Sequence, residues 1–230
     1  MMEFSLIILP EQEKWSGDGA GIKAISGGDA VAIDAKYRDA YSTHIPAVNN
    51  NPMRFSDRSG GVSRRRVILT FPEVIPAKER DPQLLDKISA ELAVIVHHLM
   101  QRFASPEEAC ELLQAQHSSG EALEIKRQAD PLVDFCGYLM PLSMPNGLFI
   151  GNANIRPLNP KRYLYHAYLA FMESRGHQHP LSLTAFGQAV PQTLKEYERV
   201  LLKRRTNNGI QTNLTLHEDS EADWLPACNV

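Results

Sequence analysis

Hydrophobic positions along the chain fall into two regimes. Before residue 76 they come as short continuous runs: Leu6-Ile7-Ile8-Leu9, then Ala30-Val31-Ala32-Ile33 behind the turn Gly27-Gly28-Asp29, then Val67-Ile68-Leu69-Thr70-Phe71 stopped by Pro72. Short apolar runs bounded by turn residues predict buried strands, here the later part of an α/β sheet. After Pro76 the spacing becomes helical, with Leu84, Leu85, Ile88, Leu92, Ile95, Val96 and Leu99 behind the start signal Asp81-Pro82. A second helix is predicted at Ser105-Pro106-Glu107-Glu108, where Ser is the N-cap and Pro takes the first helical position. A third runs from Glu121 to Leu139 and is interrupted at Pro131, so residues 77–145 read as a helical connector.

A loop rich in Pro, Asn and Gly from Met140 to Asn159 marks the expected domain boundary. Beyond it a helix starts at Pro160, carries Tyr163, Leu164, Ala167, Tyr168, Phe171 and Met172 on one face, and stops at Gly176. Ser182 caps a short helix from Leu183 to Val190, and Pro191 opens another from Gln192 to Val200. Two strand-like runs, Leu201 to Arg205 and Ile210 to Leu216, flank Asn207-Asn208-Gly209, and Asn-Gly between such runs is a strong hairpin signal. Three helices followed by a hairpin is the order of a winged helix, expected over residues 146–230. The acidic tail from His217 is expected to be ordered where Trp224 and Leu225 dock.

Charge sharpens this picture. The chain of 230 residues is 43% hydrophobic and 22% charged, ordinary for a folded protein, with a formal charge of −3. Between Pro160 and Thr212, however, eight Lys/Arg stand against three Glu, a local +5 that leaves −8 for the remainder. A basic module within an acidic chain fits a polyanionic partner, because neutralised phosphates release condensed counterions. The apolar run ending at Leu9 is too short for a membrane span and follows Glu3 rather than basic residues, so a cytoplasmic protein without membrane association is expected. Cys110, Cys136 and Cys228 show no C-x-x-C spacing and read as idle or buried thiols. His97 and His98 lack a suitably spaced third ligand, so no metal site is expected.

Candidate chemistry follows from position. The second helix of a helix-turn-helix pair places its early residues at base edges, which nominates Gln192, Thr193, Lys195 and Glu196. Lys203, Arg204, Arg205, Thr206, Asn207 and Asn208 form the expected wing, where three cations adjoin three short polar side chains suited to phosphate or minor-groove contact. Winged helices also serve as protein-binding modules, and the coincidence of basic charge with the hairpin favours DNA. Near the start, Leu6 to Leu9 leads to Pro10-Glu11, a strand ending in a carboxylate, as at a Mg²⁺-associated acid of a nucleotide hydrolase. An Asn at the Asn49-Asn50-Asn51-Pro52 run could orient water, and an arginine of Arg64-Arg65-Arg66 could stabilise phosphoryl-transfer charge.

The glycine-rich run from Gly17 to Asp29, then Asn49-Asn50-Asn51-Pro52, then Asp57-Arg58-Ser59-Gly60-Gly61 leading to Arg64-Arg65-Arg66, resemble the later motifs of superfamily 3 helicases. With Leu181-Ser182-Leu183, Leu194-Lys195-Glu196-Tyr197 and Gly209 to Leu216, they are similar to the phage P4-type primase-helicases, whose C-terminal domain is a winged-helix origin-binding domain. The resemblance implies a partial AAA+-like ATPase sheet over residues 1–76. It implies Glu11 as the Walker B acid, Lys23 as a lysine facing single-stranded DNA, Asn50 as the polar sensor, and Arg64 or Arg65 as the arginine finger. The intact family members use ATP and Mg²⁺ and assemble as hexamers with a primase domain ahead of the helicase.

Two departures limit that implication. No G-x-x-x-x-G-K-[ST] motif and no Gly-Lys dipeptide occurs, so autonomous ATP hydrolysis and a cofactor for this chain alone are not expected. The strand before the Asn run, Ile45-Pro46-Ala47-Val48, is short and holds a proline unsuited to a central strand. The expectation is a C-terminal portion of a phage or prophage primase-helicase that binds duplex DNA at a replication origin. Two alternatives stand beside it: a subunit that assembles with an intact helicase and donates its arginine and DNA-facing lysine in trans; and an inert prophage remnant whose winged helix binds a protein. Besides duplex DNA, the partners expected are an intact helicase or a further copy of the chain in a homo-oligomer.

Overall fold

The computed structural model describes residues 66–225 together with residues 16, 17, 20, 54 and 55. Of the N-terminal segment, β1 (Ser16–Gly17) pairs in parallel with β2 (Arg54–Phe55). The expected strands at residues 6–9 and 30–33 lie outside the described residues, as do the catalytic candidates Glu11, Asn50, Arg64 and Arg65 and the DNA-facing Lys23. The described chain is mixed, mostly helical, with small antiparallel sheets, an α+β arrangement. It divides into two compact units, one being Arg66–Ala122 and the other containing Leu123–Val230. No helix of the described residues is long and apolar enough to cross a membrane.

The first unit corrects one expectation. Residues 67–71, predicted as a strand, pair with no other strand among the described residues, and Phe71 is 90% exposed. Apolar sequence alone does not make a strand; a ladder partner must satisfy the backbone. Here side chains of the following helices do part of that work: Gln116 Nε2 donates to the Ile68 carbonyl at 2.8 Å and His117 Nδ1 to that of Arg66 at 2.8 Å. The helices themselves follow the sequence. In α1 (Leu84–Arg102), Asp81 accepts from the Gln83 N–H at 2.9 Å and from Lys87 Nζ at 2.5 Å. In α2 (Pro106–His117) the N-cap Ser105 accepts from Glu108 N at 3.2 Å with Pro106 at the first position. No residue of either helix is buried, and His97 and His98 are both exposed.

The second unit is built on aromatic packing. Pro131 splits the predicted third helix into α3 (Gly120–Ala129) and α4 (Pro131–Gly137). Asp130 ends one and caps the other, accepting from Leu132 N at 2.9 Å. From α4, Phe135 enters the centre of a cluster, its ring centroid 5.5 Å from Tyr168, 5.6 Å from Phe171, 6.2 Å from Phe186 and 6.1 Å from Trp224. Tyr168 and Phe171 come from α5 (Leu164–Ser174), and Phe186 from α6 (Leu183–Thr193). Trp224 follows α7 (Asp219–Asp223) and is 6% exposed, with Leu225 beside it at 5%, so the tail docks through the two expected residues.

Helix boundaries in this unit depend on tertiary contacts. The helix predicted from Pro160 begins at Leu164, because the first free N–H groups are taken by the carbonyls of the preceding loop: Leu164 N donates to Phe149 O at 2.7 Å and Tyr165 N to Ile150 O at 3.0 Å. Buried His166 fixes that loop from the helix, accepting on Nδ1 from Asn159 N at 2.9 Å and donating from Nε2 to Asn152 O at 2.8 Å. Pro191 opens no new helix. It lies inside α6, which runs from Leu183 through Thr193 and tightens into a 3-10 turn at Leu194–Tyr197.

The sheets tie the loop and tail into the same unit. β3 (Leu139–Pro141) pairs antiparallel with β6 (Leu214–Leu216), and β4 (Lys203–Thr206) pairs antiparallel with β5 (Gly209–Thr212). The loop expected to be a boundary runs along this structure: Gly147 N donates to Thr212 O, Leu148 N to Leu214 O and Ile150 N to Ile210 O, at 2.7, 2.7 and 2.9 Å. Leu148 is 7% exposed and Leu139 fully buried, so residue 146, the expected start of a domain, falls inside the unit.

Candidate nucleic-acid interface

The hairpin projects from a run that the sequence read as one strand. Between β5 and β6 the chain breaks at Asn213, 3% exposed, whose side chain bonds backbone on three sides. Its Oδ1 accepts from Leu202 N at 2.8 Å, and its Nδ2 donates to Leu142 O and Val200 O, each at 3.1 Å. This pins the base of the hairpin while β4 and β5 extend from it. At the tip Thr206 pairs with Gly209 across the loop residues Asn207 and Asn208, and Gly209 takes φ 119°, a region open to glycine. Thr206 Oγ1 donates to Gly209 O at 2.9 Å and accepts from Asn208 N at 3.2 Å. One of the short polar side chains nominated for contact therefore closes the turn.

Lys203, Arg204 and Arg205 stand side by side on β4, all exposed, as are Asn207 and Asn208. Among the described residues none of the three cations forms a salt bridge. Three other basic residues of this segment are instead engaged by the rest of the fold. Arg199 turns inward, its Nη1 donating to the carbonyls of Cys136, Gly137 and Leu139, and so closes the end of α4. Arg175 donates to Tyr138 Oη at 3.0 Å, and Lys161 lies 2.6 Å from Glu221. Beyond these three residues, the exposed cations of the segment are those of the hairpin, Lys195, and Arg162, whose guanidinium lies over the rings of Phe149 and Tyr163.

The expected groove-facing helix fares unevenly. Gln192, in the last turn of α6, and Lys195, in the 3-10 turn, are both exposed. Thr193 is 9% exposed and its Oγ1 donates back to Ala189 O at 3.1 Å, which removes it from an outward surface. Glu196 pairs with Lys126 at 2.8 Å. In the same turn Tyr197 is half-buried, donating its hydroxyl to Val133 O at 2.6 Å, and desolvation pushes its pKa far above the ordinary tyrosine range. Helical periodicity across Pro191 could not separate these fates, because the tightening to a 3-10 turn shifts each following side chain around the axis.

Two residues that sequence reading passed over meet the hairpin. Arg204 Nη2 donates to Asn146 Oδ1 at 2.9 Å and to Gln211 Oε1 at 3.3 Å, while Gln211 Nε2 donates to Gly147 O at 3.1 Å. Gln211 was legible as the cross-strand neighbour of Arg204 once the hairpin register was known. Asn146, distant in sequence, carried no signal. Among the described residues no group of three or more His, Cys, Asp or Glu is placed to hold a metal ion.

These features sit in a segment with recognisable relatives. Residues 127–226 match the protein-family model described as Poxvirus D5 protein-like. A solved structure, the Phage P4 Origin-Binding Domain, is 55% identical over a match that takes in 43% of this chain and 99% of that chain, with a TM-score of 0.43. On that identity across nearly the whole relative, rather than on the superposition, the chain belongs to the phage P4-type replication proteins.

Proposed function

We propose that the unit beginning near Leu123 is a winged-helix module that binds duplex DNA at a replication origin, and that the chain serves phage or prophage replication through this recognition rather than through ATP hydrolysis of its own. The observation that carries the reading is the hairpin: three adjacent cations held in an exposed, hydrogen-bonded ladder without carboxylate partners among the described residues, in a segment 55% identical to a domain described as origin-binding. An exposed pair of Lys or Arg with Asp or Glu would contribute little to stability, so leaving these three unpaired costs the fold little and leaves their charge available to phosphates.

In this reading β4 and β5 are the wing. Gln192 and Lys195 are the exposed members of the groove-facing set, and Thr193 and Glu196 serve the fold. The module extends upstream of residue 146, since Phe135 and Leu139 belong to its core. Recognition of this kind needs neither nucleotide nor metal.

The test is a salt titration of duplex binding by the full chain. Replacing Arg204 and Arg205 with Ala should weaken binding and flatten the slope of log K against log salt by about one unit per lost phosphate contact. A slope that does not move removes the wing from the interface.

A further inference from the structure

Two stretches of the second unit carry no carboxylate. Residues 135–172 contain Arg156, Lys161 and Arg162 but no Asp or Glu, and residues 199–216 contain Arg199, Lys203, Arg204 and Arg205 and again no acid. The fold lays the two stretches side by side, because the amides of Gly147, Leu148 and Ile150 donate to carbonyls of Thr212, Leu214 and Ile210. In a chain whose formal charge is −3, the surface they share is therefore one from which acids are missing.

Register sets a row across that surface. Arg204 pairs with Gln211, Gln211 with Phe149, and Phe149 with Tyr163. Paired residues of neighbouring strands project to the same face, so these four side chains share one face. The guanidinium of Arg162 joins them there, 6.0 Å from the centroid of the Phe149 ring and 5.5 Å from that of Tyr163. Aromatic rings hold a guanidinium in place without cancelling its charge. Arg162 is exposed and forms no salt bridge among the described residues, whereas its neighbour Lys161 is tied to Glu221. Phe149 stands two strands away from Arg204, which at the usual strand spacing separates the two positions by about 10 Å.

We propose that this sheet face belongs to the duplex interface, with Arg162 as a phosphate anchor set apart from the wing, so that the sugar-phosphate backbone crosses the row between Arg204 and Arg162. The inference rests on the duplex-binding reading above and widens it from the hairpin to the loop that runs beside it. Phosphate contacts carry no sequence information but fix the orientation of a protein on the duplex. A hairpin holding the backbone at one place leaves the unit free to pivot, and a second anchor on the adjoining loop removes that freedom.

The experiment is a salt titration of the full chain on a mixed-sequence duplex. Arg162→Ala should weaken binding and lower the slope of log K against log salt by about 0.9, the share of one phosphate. Arg162→Lys keeps the charge and should keep the slope. In the unsubstituted chain, bound duplex should shield Arg162 from modification by phenylglyoxal, read by mass spectrometry, a measurement that does not depend on the folding of any variant. An unchanged slope in Arg162→Ala, an equal fall in Arg162→Lys, or equal modification of Arg162 with and without duplex overturns the assignment. Where the Arg204 and Arg205 variants still flatten the slope, binding through the hairpin stands without it. A wild-type chain that binds no duplex overturns both.

Discussion

The ammonium of Lys126 lies 2.8 Å from the carboxylate of Glu196, the two side chains being 6% and 20% exposed. The pair joins α3 to the 3-10 turn that follows α6, over a large separation in sequence, and it settles the role of a glutamate that helical numbering had put among DNA-facing residues. Removing one partner from such a pair leaves a charge buried without compensation, which costs more than the pair itself contributes. Glu196→Gln should therefore destabilise the unit by about 3 kcal/mol in urea unfolding, whereas Lys126→Met combined with Glu196→Leu should recover most of the loss. A double variant no more stable than Glu196→Gln would show that the site does not tolerate apolar packing.

Asn213 meets three backbone groups at the base of the hairpin. In Asn213→Ala those groups lose their partner in a buried place, at a cost of about 2–3 kcal/mol. Amide exchange should locate the damage: the Leu202 N–H, bonded to Asn213 Oδ1, should lose protection before the amides of α5 do. Uniform loss across the unit would mean that Asn213 supports the whole core rather than the hairpin.

Two glycines predict opposite outcomes for one substitution. At Gly147 an added Cβ would meet the Leu214 backbone at 2.1, 2.7 and 2.9 Å, so Gly147→Ala should destabilise by at least about 2 kcal/mol. At Gly187, within α6, nothing lies within 4 Å of such a Cβ, and Gly187→Ala should stabilise by about 1 kcal/mol through helix propensity. Thermal unfolding of the two variants, side by side, checks both signs.

Tyr197 sets an alkaline limit. Its pKa lies above the ordinary value of 10.0 because burial disfavours the phenolate. The folded value is raised, so this contribution to stability is fully present below the unfolded pKa and fades as pH rises through the range between the unfolded and folded values. Thermal stability should fall above about pH 10, and Tyr197→Phe should make the fall shallower. At neutral pH the same variant should lose about 1 kcal/mol for the hydrogen bond to Val133 O. An identical alkaline slope in the two proteins would assign the fall to other groups; Tyr138 and Tyr165 are also raised, chiefly by burial.

Much of the local structure was legible because its causes are local. Ser105 and Ser182 cap helices through their own side chains, with Ala185 N donating to Ser182 Oγ at 3.3 Å, and Pro106 and Pro131 occupy first helical positions where the missing N–H is not needed. The hairpin was legible for the same reason, since turn chemistry near Gly209 and the strand runs around it act within a few residues. Trp224 and Leu225 were identifiable as anchors because large apolar side chains in an acidic tail gain only by burial.

Sequence by itself thus determined where helices cap, where the hairpin turns, which apolar faces seek a core and where cations accumulate. It could not show that residues 67–71 pair with no strand among the described residues, that Pro191 lies inside a helix, or that the loop at 147–150 runs beside β5 and β6, because each depends on a group far along the chain. Tertiary structure also sorted the cations: it turned Arg199 toward the end of α4, tied Lys161 to Glu221, and set Arg204 between Asn146 and Gln211. Charge is a property of composition, but availability of charge depends on which acceptors the fold brings within hydrogen-bond distance.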